Sequence, residues 1–177
     1  MSAVTTLETG RLLLRRFQDG DAEAMSAWCS DPEVTETVTW NAHKDLEETR
    51  RVLANWIKAY DDPRNIRFGI VLKETNELMG VIDVINFHDD IPEIGYCLAK
   101  KYWGKGYMSE AVRAMVRHVF HLGYNEILAC MHEENIGSIR VITRCGFRFE
   151  RKEFKAQWSP FKLETVVLNW YHLFKDE

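Results

Sequence analysis

Thiols are scarce in this chain: four cysteines, at positions 29, 97, 130 and 145, no two of them in a C-x-x-C spacing. That scatter suggests neither a disulfide framework nor a zinc site, and it reads as buried thiols. Basic charge is also short. The 23 Lys and Arg are outnumbered by 27 Asp and Glu, for a net charge of -4, which argues against a general nucleic-acid binder and suits a cationic acceptor; no direct nucleic-acid contact is expected. No apolar run is long enough to cross a bilayer, and residues 1–6 lack a basic segment followed by an apolar one, so the expectation is a cytoplasmic protein without a membrane partner. His132-Glu133-Glu134 is not followed by the second His of a zinc helix, and His118 and His121, three apart, read as a solvated helix face; no metal is expected. Internal repeats, low-complexity tracts and linkers are missing too. What remains is a chain of 177 residues, 46% hydrophobic and 12% aromatic, expected to form one domain over residues 1–177.

The stretch from Lys101 to Glu110 organises the rest. It joins an apolar run ending near Leu98 to an amphipathic helix beginning near Tyr107, with Gly104 and Gly106 at the junction. Glycine permits positive φ and close approach of a ligand, and the helix behind it aims unpaired amides and a positive dipole end at the loop. The spacing is neither that of a P-loop nor G-x-G-x-x-G, because Ser109 stands where the third glycine belongs. The plain alternative is an ordinary tight turn.

In chain order, residues 11–17 read as a strand that opens the sheet. Asp21 is placed to cap a helix burying Met25, Trp28 and Cys29 that stops at Asp31-Pro32. A longer helix is expected over 44–60, with Leu46, Leu53, Trp56, Ile57 and Tyr60 as its core stripe, and the loop residue Trp40 is a candidate lining of an acceptor channel. Alternating runs at 66–72 and 78–87 predict a hairpin, and 93–99 the following strand, in which Gly95 signals a bulge or a close backbone approach. The helix over 107–122 turns Met108, Ala111, Val112, Met115, Val116, Val119 and Leu122 inward, with Gly123 as C-cap. Residues 127–131 make a strand, Asn135 starts a helix that ends before Gly146, and two more strands cover 148–154 and 163–173, joined by a loop at 157–160.

Three separated motifs resemble the GNAT superfamily of acetyl-CoA-dependent N-acetyltransferases. The loop matches that family's Gln/Arg-x-x-Gly-x-Gly/Ala pattern, with Lys101 as a departure at the first position. Leu7-Glu8-Thr9-Gly10-Arg11-Leu12-Leu13-Leu14-Arg15 matches the Leu-x-Thr-x-Arg-Leu-x-Leu-Arg opening of the Rim-type branch, the ribosomal-protein N-terminal acetyltransferases. Asn135-x-x-Ser138 followed by Cys145-Gly146-Phe147 is the third. The resemblance implies an α/β (α+β) GNAT fold: a mixed, mostly antiparallel twisted sheet, splayed in the middle, with helices on both faces. It implies acetyl-CoA as donor, its pyrophosphate held by amides of Gly104, Lys105, Gly106, Tyr107 and Met108, its pantetheine laid along Tyr96, Cys97, Leu98 and Ala99, and Asn135 orienting it. The implied acceptor is the α-amino group of a ribosomal or other protein. Polyamine, amino-acid or antibiotic acetylation is the alternative enzyme, and a non-catalytic acyl-CoA sensor the alternative of another class. A homodimer and a monomer both stay open.

Acyl transfer from a thioester to an amine needs a deprotonated amine, a donor for the oxyanion and a proton for the leaving thiolate. By the same resemblance Ser138 supplies that proton, unless its hydroxyl only caps the helix, and a main-chain amide at Tyr96 or Cys97 meets the oxyanion. For the base, Glu93 at the start of the splayed strand is the first choice and Asp83 the second; Glu164 is the nearest late carboxylate. Each could equally be a solvated or ion-paired residue.

Overall fold

The computed structural model describes residues 4–159 and 162–175; Pro160 of the expected 157–160 loop lies outside them. Among the described residues eight strands form one sheet: β1 (Thr6–Glu8), β2 (Leu12–Arg15), β3 (Arg67–Leu72), β4 (Glu77–His88), β5 (Ile91–Leu98), β6 (Glu126–His132), β7 (Arg148–Lys155) and β8 (Val166–Phe174), in the order β1-β2-β3-β4-β5-β6-β8-β7. Every neighbouring pair is antiparallel except β5 with β6. A parallel pair needs a crossover, and the helix α4 (Tyr107–His121) supplies it.

The helices α1 (Ala22–Cys29), α2 (Pro32–Thr35), α3 (Leu46–Lys58) and α5 (Ile136–Arg144) complete the fold. Two apolar clusters lie on opposite faces of the sheet. One gathers Ile70, Ile82, Ile94 and Leu98 with Ala111, Met115 and Val119 of α4 and Ile142 of α5. The other gathers Phe17, Val71, Val81 and Cys97 with Met25 and Trp28 of α1 and Leu53 of α3. Successive side chains of a strand point to opposite faces, so Ile94, Tyr96 and Leu98 face α4 and α5 while Glu93, Gly95 and Cys97 face the other way.

Several expectations need correction. The run 11–17 yields β2, but β1 precedes it and pairs Leu7 with Leu14. Asp21 makes no side-chain cap; its carboxylate takes both Arg15 guanidinium N–H groups at 2.8 Å and the Gln18 N–H at 2.8 Å. As expected, α1 ends just before Asp31-Pro32; what the sequence reading lacked is that these residues open the short helix α2, because Asp31 accepts from the Glu33 N–H at 2.9 Å and Pro fits a first helical turn. Leu122 is the C-cap of α4 and half exposed. His118, expected on a solvated face, is buried with its ring 5.8 Å from that of Phe68, and burial pushes its pKa down. Trp56 and Tyr60 do serve the core: Trp56 packs edge-on against Phe17, and the Tyr60 hydroxyl joins Phe17 N–H to the Arg67 carbonyl. Among the described residues no helix is long and apolar enough to cross a membrane.

Candidate active site

Beyond Leu98 the chain makes a short helical turn and then a loop in which Gly104 has φ 74° and Gly106 φ 79°. An L side chain at either position would be strained. Gly106 is the N-cap of α4 and has no side chain to satisfy the first amides, so the N–H groups of Tyr107 and Met108 are left to point into the loop. A Cβ at Gly104 would meet nothing within 4 Å. The loop is therefore open to a ligand. Lys101, at the variant motif position, is engaged elsewhere: its ammonium pairs with Glu77 at 2.9 Å.

A clasp the sequence does not reveal holds this loop from outside. Glu110, in the first turns of α4, accepts from the Thr9 hydroxyl at 2.6 Å, the Arg11 N–H at 2.8 Å and Arg11 Nε at 2.7 Å. Arg11 Nη1 donates to the Lys105 carbonyl at 3.0 Å, and its guanidinium lies 4.5 Å from the Tyr107 ring centre. Burial pushes the Glu110 carboxyl up, but these hydrogen bonds outweigh it and hold its pKa below the usual carboxylate range. Thr9 and Arg11 belong to the opening signature, so their spacing was visible; their partner 99 or more residues away was not.

The sheet opens beside the loop. Among the described residues β5 and β6 are paired only at Glu93 with Leu128 and Ile94 with Ala129, and from Gly95 onward β5 has no strand partner on that side. The Ala99 N–H donates to the Met79 carbonyl at 2.8 Å, and main-chain groups alternate along an antiparallel pair. Cys97 and Ala99 are thus turned back to β4, whereas Tyr96 and Leu98 turn theirs to the gap. The Leu98 carbonyl is taken by Trp103 Nε1 at 2.7 Å. Of the two amides considered for an oxyanion, that of Tyr96 faces the opening.

On the α5 side of the gap, the Tyr96 hydroxyl donates to the Ser138 carbonyl at 3.0 Å. Asn135 Oδ1 accepts from the Ser138 N–H at 3.0 Å, which makes Asn135 the cap. The Ser138 hydroxyl makes no hydrogen bond to the described residues and does not cap the helix. On the opposite face Glu93 is only 7% exposed, and its Oε2 lies 2.7 Å from His88 Nε2. Burial raises the Glu93 pKa while the His88 hydrogen bond opposes the rise. Asp83 is committed to Arg67, whose Nε and Nη2 reach Oδ2 at 2.8 and 2.7 Å. Glu164 is exposed, and Trp40 is half-buried beside His43, 5.6 Å between ring centres. The loop of Trp40 is tied to the β7–β8 connection: Ser159 Oγ donates to the Thr39 carbonyl at 2.5 Å, and Lys162 Nζ to the carbonyls of Thr35 and Glu36.

Comparison with known proteins agrees with this geometry. A family model described as an acetyltransferase (GNAT) domain matches residues 11–148. An uncharacterized N-acetyltransferase of Bacillus licheniformis is 34% identical over 148 residues, spanning 82% of this chain and 83% of its own length. The uncharacterized N-acetyltransferase YoaA of Bacillus subtilis is 34% identical over 150 residues, spanning 81% and 83%. Among solved structures, a GNAT-family acetyltransferase from Bacillus anthracis superposes with a TM-score of 0.85 at 27% identity, covering 98% of this chain and all of its own. The ribosomal L7/L12 alpha-N-protein acetyltransferase RimL, in complex with coenzyme A, has a TM-score of 0.82 at 20% identity, covering 97% and 98%, a likeness of fold.

Proposed function

The chain belongs to the GNAT acetyltransferase family, and from that premise we propose that it transfers acetyl from acetyl-CoA to the α-amino group of a protein N-terminus, ribosomal proteins first among them. The observation that carries the site assignment is the parting of β5 from β6 after Ile94, with the Tyr96 amide turned into the gap between Glu93 and Ser138. The residues fit a long acyl carrier: glycines at positive φ with open space beside them, helix-end amides, and an unpaired stretch of strand. When bound, acetyl-CoA supplies an activated acyl group on a thioester.

The rest is the work of this chain. Amides of Gly104 to Met108 hold phosphate oxygens at the positive end of α4. Tyr96 and Leu98 offer main-chain partners along the gap, while Cys97 and Ala99 line it without free main-chain groups. The Tyr96 N–H donates to the carbonyl oxygen as negative charge grows there. Glu93, directly or through a water, takes a proton from the acceptor ammonium; the unengaged hydroxyl of Ser138 gives one to the departing sulfur and is reprotonated by the second proton that the nitrogen sheds as it becomes an amide, relayed through water. Asn135 keeps that hydroxyl in place by capping the turn on which it stands.

A free α-amino group, with a pKa near 8, is about a tenth neutral at pH 7, whereas a lysine is neutral at roughly the parts-per-thousand level or below. A single carboxylate of raised pKa is a sufficient base for the former. Support for the ribosomal acceptor comes from structural neighbours described as acetyltransferases of ribosomal L7/L12, one of them modifying its N-terminal serine. The four free thiols are compatible with the cytoplasm we assign, and the whole chain is taken as one domain. The test is thiol release from acetyl-CoA with a panel of peptides of free N-terminus and of small amines, with mass spectrometry of the products. Acetylated peptides, serine first, are expected. Acetylation of small amines alone would replace the acceptor assignment, and binding without turnover would make the protein a sensor.

A further inference from the structure

The antiparallel pair β4–β5 slips by one residue between Val84 and Asn86. A one-residue slip carries every later side chain to the other face. Ile82 and Val84, before the slip, face α4. Without it His88 would face α4 as well; with it, Phe87 packs on the α4 side, near Tyr124, and His88 crosses to the face of Glu93. The bulged residue Ile85 needs room, and it lies over Gly95, where a Cβ would approach Ile85 Cγ2 to 2.7 Å. Gly95, read from the sequence as a bulge or a close backbone approach, thus accommodates a bulge in the neighbouring strand.

His88 is held where it arrives. Its ring stands edge-on to Trp170 of β8 at 5.1 Å and at 89°, and one side of it reaches solvent. Toward an ionised carboxylate, which can only accept, the Nε2 that faces Glu93 at 2.7 Å is the side of the ring that donates. Besides His88 from β4, the titratable groups around Glu93 are Cys130 from β6 and Glu153 and Lys155 from β7, while β8 presents the neutral Trp170. Glu153 accepts from Trp170 Nε1 at 2.7 Å, which fixes the surface against which His88 rests.

We propose that His88, carried onto the face of Glu93 by the bulge at Ile85, is the positioning residue of the general base, holding its carboxylate ionised and oriented beside the gap. This rests on Glu93 being the base. In the step it serves, an N–H bond of the acceptor ammonium breaks, its electron pair stays on nitrogen, and an O–H bond forms on Glu93. Glu93 later releases that proton to water, and His88 keeps its Nε2 proton throughout. The direction of the effect is set by burial, which favours the neutral acid, against a charge-assisted hydrogen bond, which favours the carboxylate.

The experiment compares wild type with H88F, H88Q and E93Q. Phe keeps the ring edge against Trp170 and removes the donor; Gln keeps a donor and removes the ring. The Glu93 carboxyl is titrated by NMR with 13C-labelled glutamate, which needs no acceptor, and kcat/KM is followed against pH with the best substrate of the amine panel. H88F should move the Glu93 midpoint and the acid limb upward together, losing about tenfold in kcat/KM near pH 6 and little near pH 9, and H88Q should restore most of it. Unmoved midpoint and limb in H88F, with E93Q inactive, would overturn the role of His88 alone. Full activity of E93Q at every pH would remove Glu93 as base and this inference with it.

Discussion

Removing the Glu110 carboxylate separates two roles for the clasp, a staple for the N-terminal strands and a setting for the phosphate loop. Glu110→Ala deletes three hydrogen bonds and leaves the Thr9 hydroxyl, the Arg11 N–H and the Arg11 guanidinium without their partner. At about 0.5–1.5 kcal/mol each, with the Arg11 side-chain share discounted because that side chain is 49% exposed, the loss is about 2 kcal/mol. For a chain of this length that lowers Tm by roughly 4–8 °C. Glu110 is held below the usual carboxylate range in the folded state. Its contribution is therefore full above the unfolded value of about 4.3 and disappears as pH falls through the folded one, so the Tm gap to wild type should close in acid. Arg11, released, no longer fixes the Lys105 carbonyl or stacks on Tyr107. Should the gripping conformer of the loop fall to a tenth of the population, the apparent affinity for acetyl-CoA falls about tenfold. Calorimetric titration of coenzyme A alongside thermal melts reads both quantities. A lower Tm with unchanged coenzyme A affinity would refute the claim that the clasp sets the loop and leave it as a staple.

Gly106→Val forces a β-branched residue to φ 79°, a strained backbone for any L side chain; the KM for acetyl-CoA should rise several-fold while far-UV circular dichroism stays native. Ser138→Ala should lower kcat with Tm unchanged, because the hydrogen bond that caps α5 uses its N–H and not its hydroxyl; unchanged turnover would remove Ser138 as the acid. Asp83→Asn leaves the mostly buried Arg67 guanidinium without its counter-charge, and breaking such a pair costs about 3–5 kcal/mol; denaturant midpoints should show a far larger loss than for Ser138→Ala.

Features set by local chemistry were legible in the sequence. Gly104 and Gly106 announced positive φ, Asn135 announced a helix start, and the apolar stripe of α4 gave its buried face with Leu122 as the one misplaced end residue. Asp31-Pro32 was ambiguous in kind, since the same two residues that can end one helix can cap and open the next. The bulge at Ile85 carries no Gly or Pro of its own; its trace, Gly95, stands on the other strand. His88 therefore fell just outside the alternating run 78–87, and its place over Glu93 follows only from a register that no short window contains. Glu110 was hidden for a similar reason, because its partners lie at the far end of the sheet's first hairpin. Sequence patterning reports which face of an element is apolar, and it is silent on which distant strand that element will meet.

The position of β5 explains why so much of the proposed chemistry converges on eight residues. It is the strand at which the sheet changes from antiparallel to parallel pairing, and the crossover helix that parallel pairing demands begins at the loop that follows it. The divergence from β6 leaves one edge of β5 unpaired, an arrangement that costs free energy unless something else bonds to that edge. Strand alternation then distributes the proposed functions: odd residues put Glu93 on the same face of the sheet as α1 and α3, and even residues put Tyr96 against Ser138 of α5. On the proposed reading the acceptor amine comes from the Glu93 face and the thiolate departs toward Ser138. Proton removal and proton donation are thereby kept on opposite sides of one backbone, where the acid cannot simply reprotonate the amine that the base has just freed.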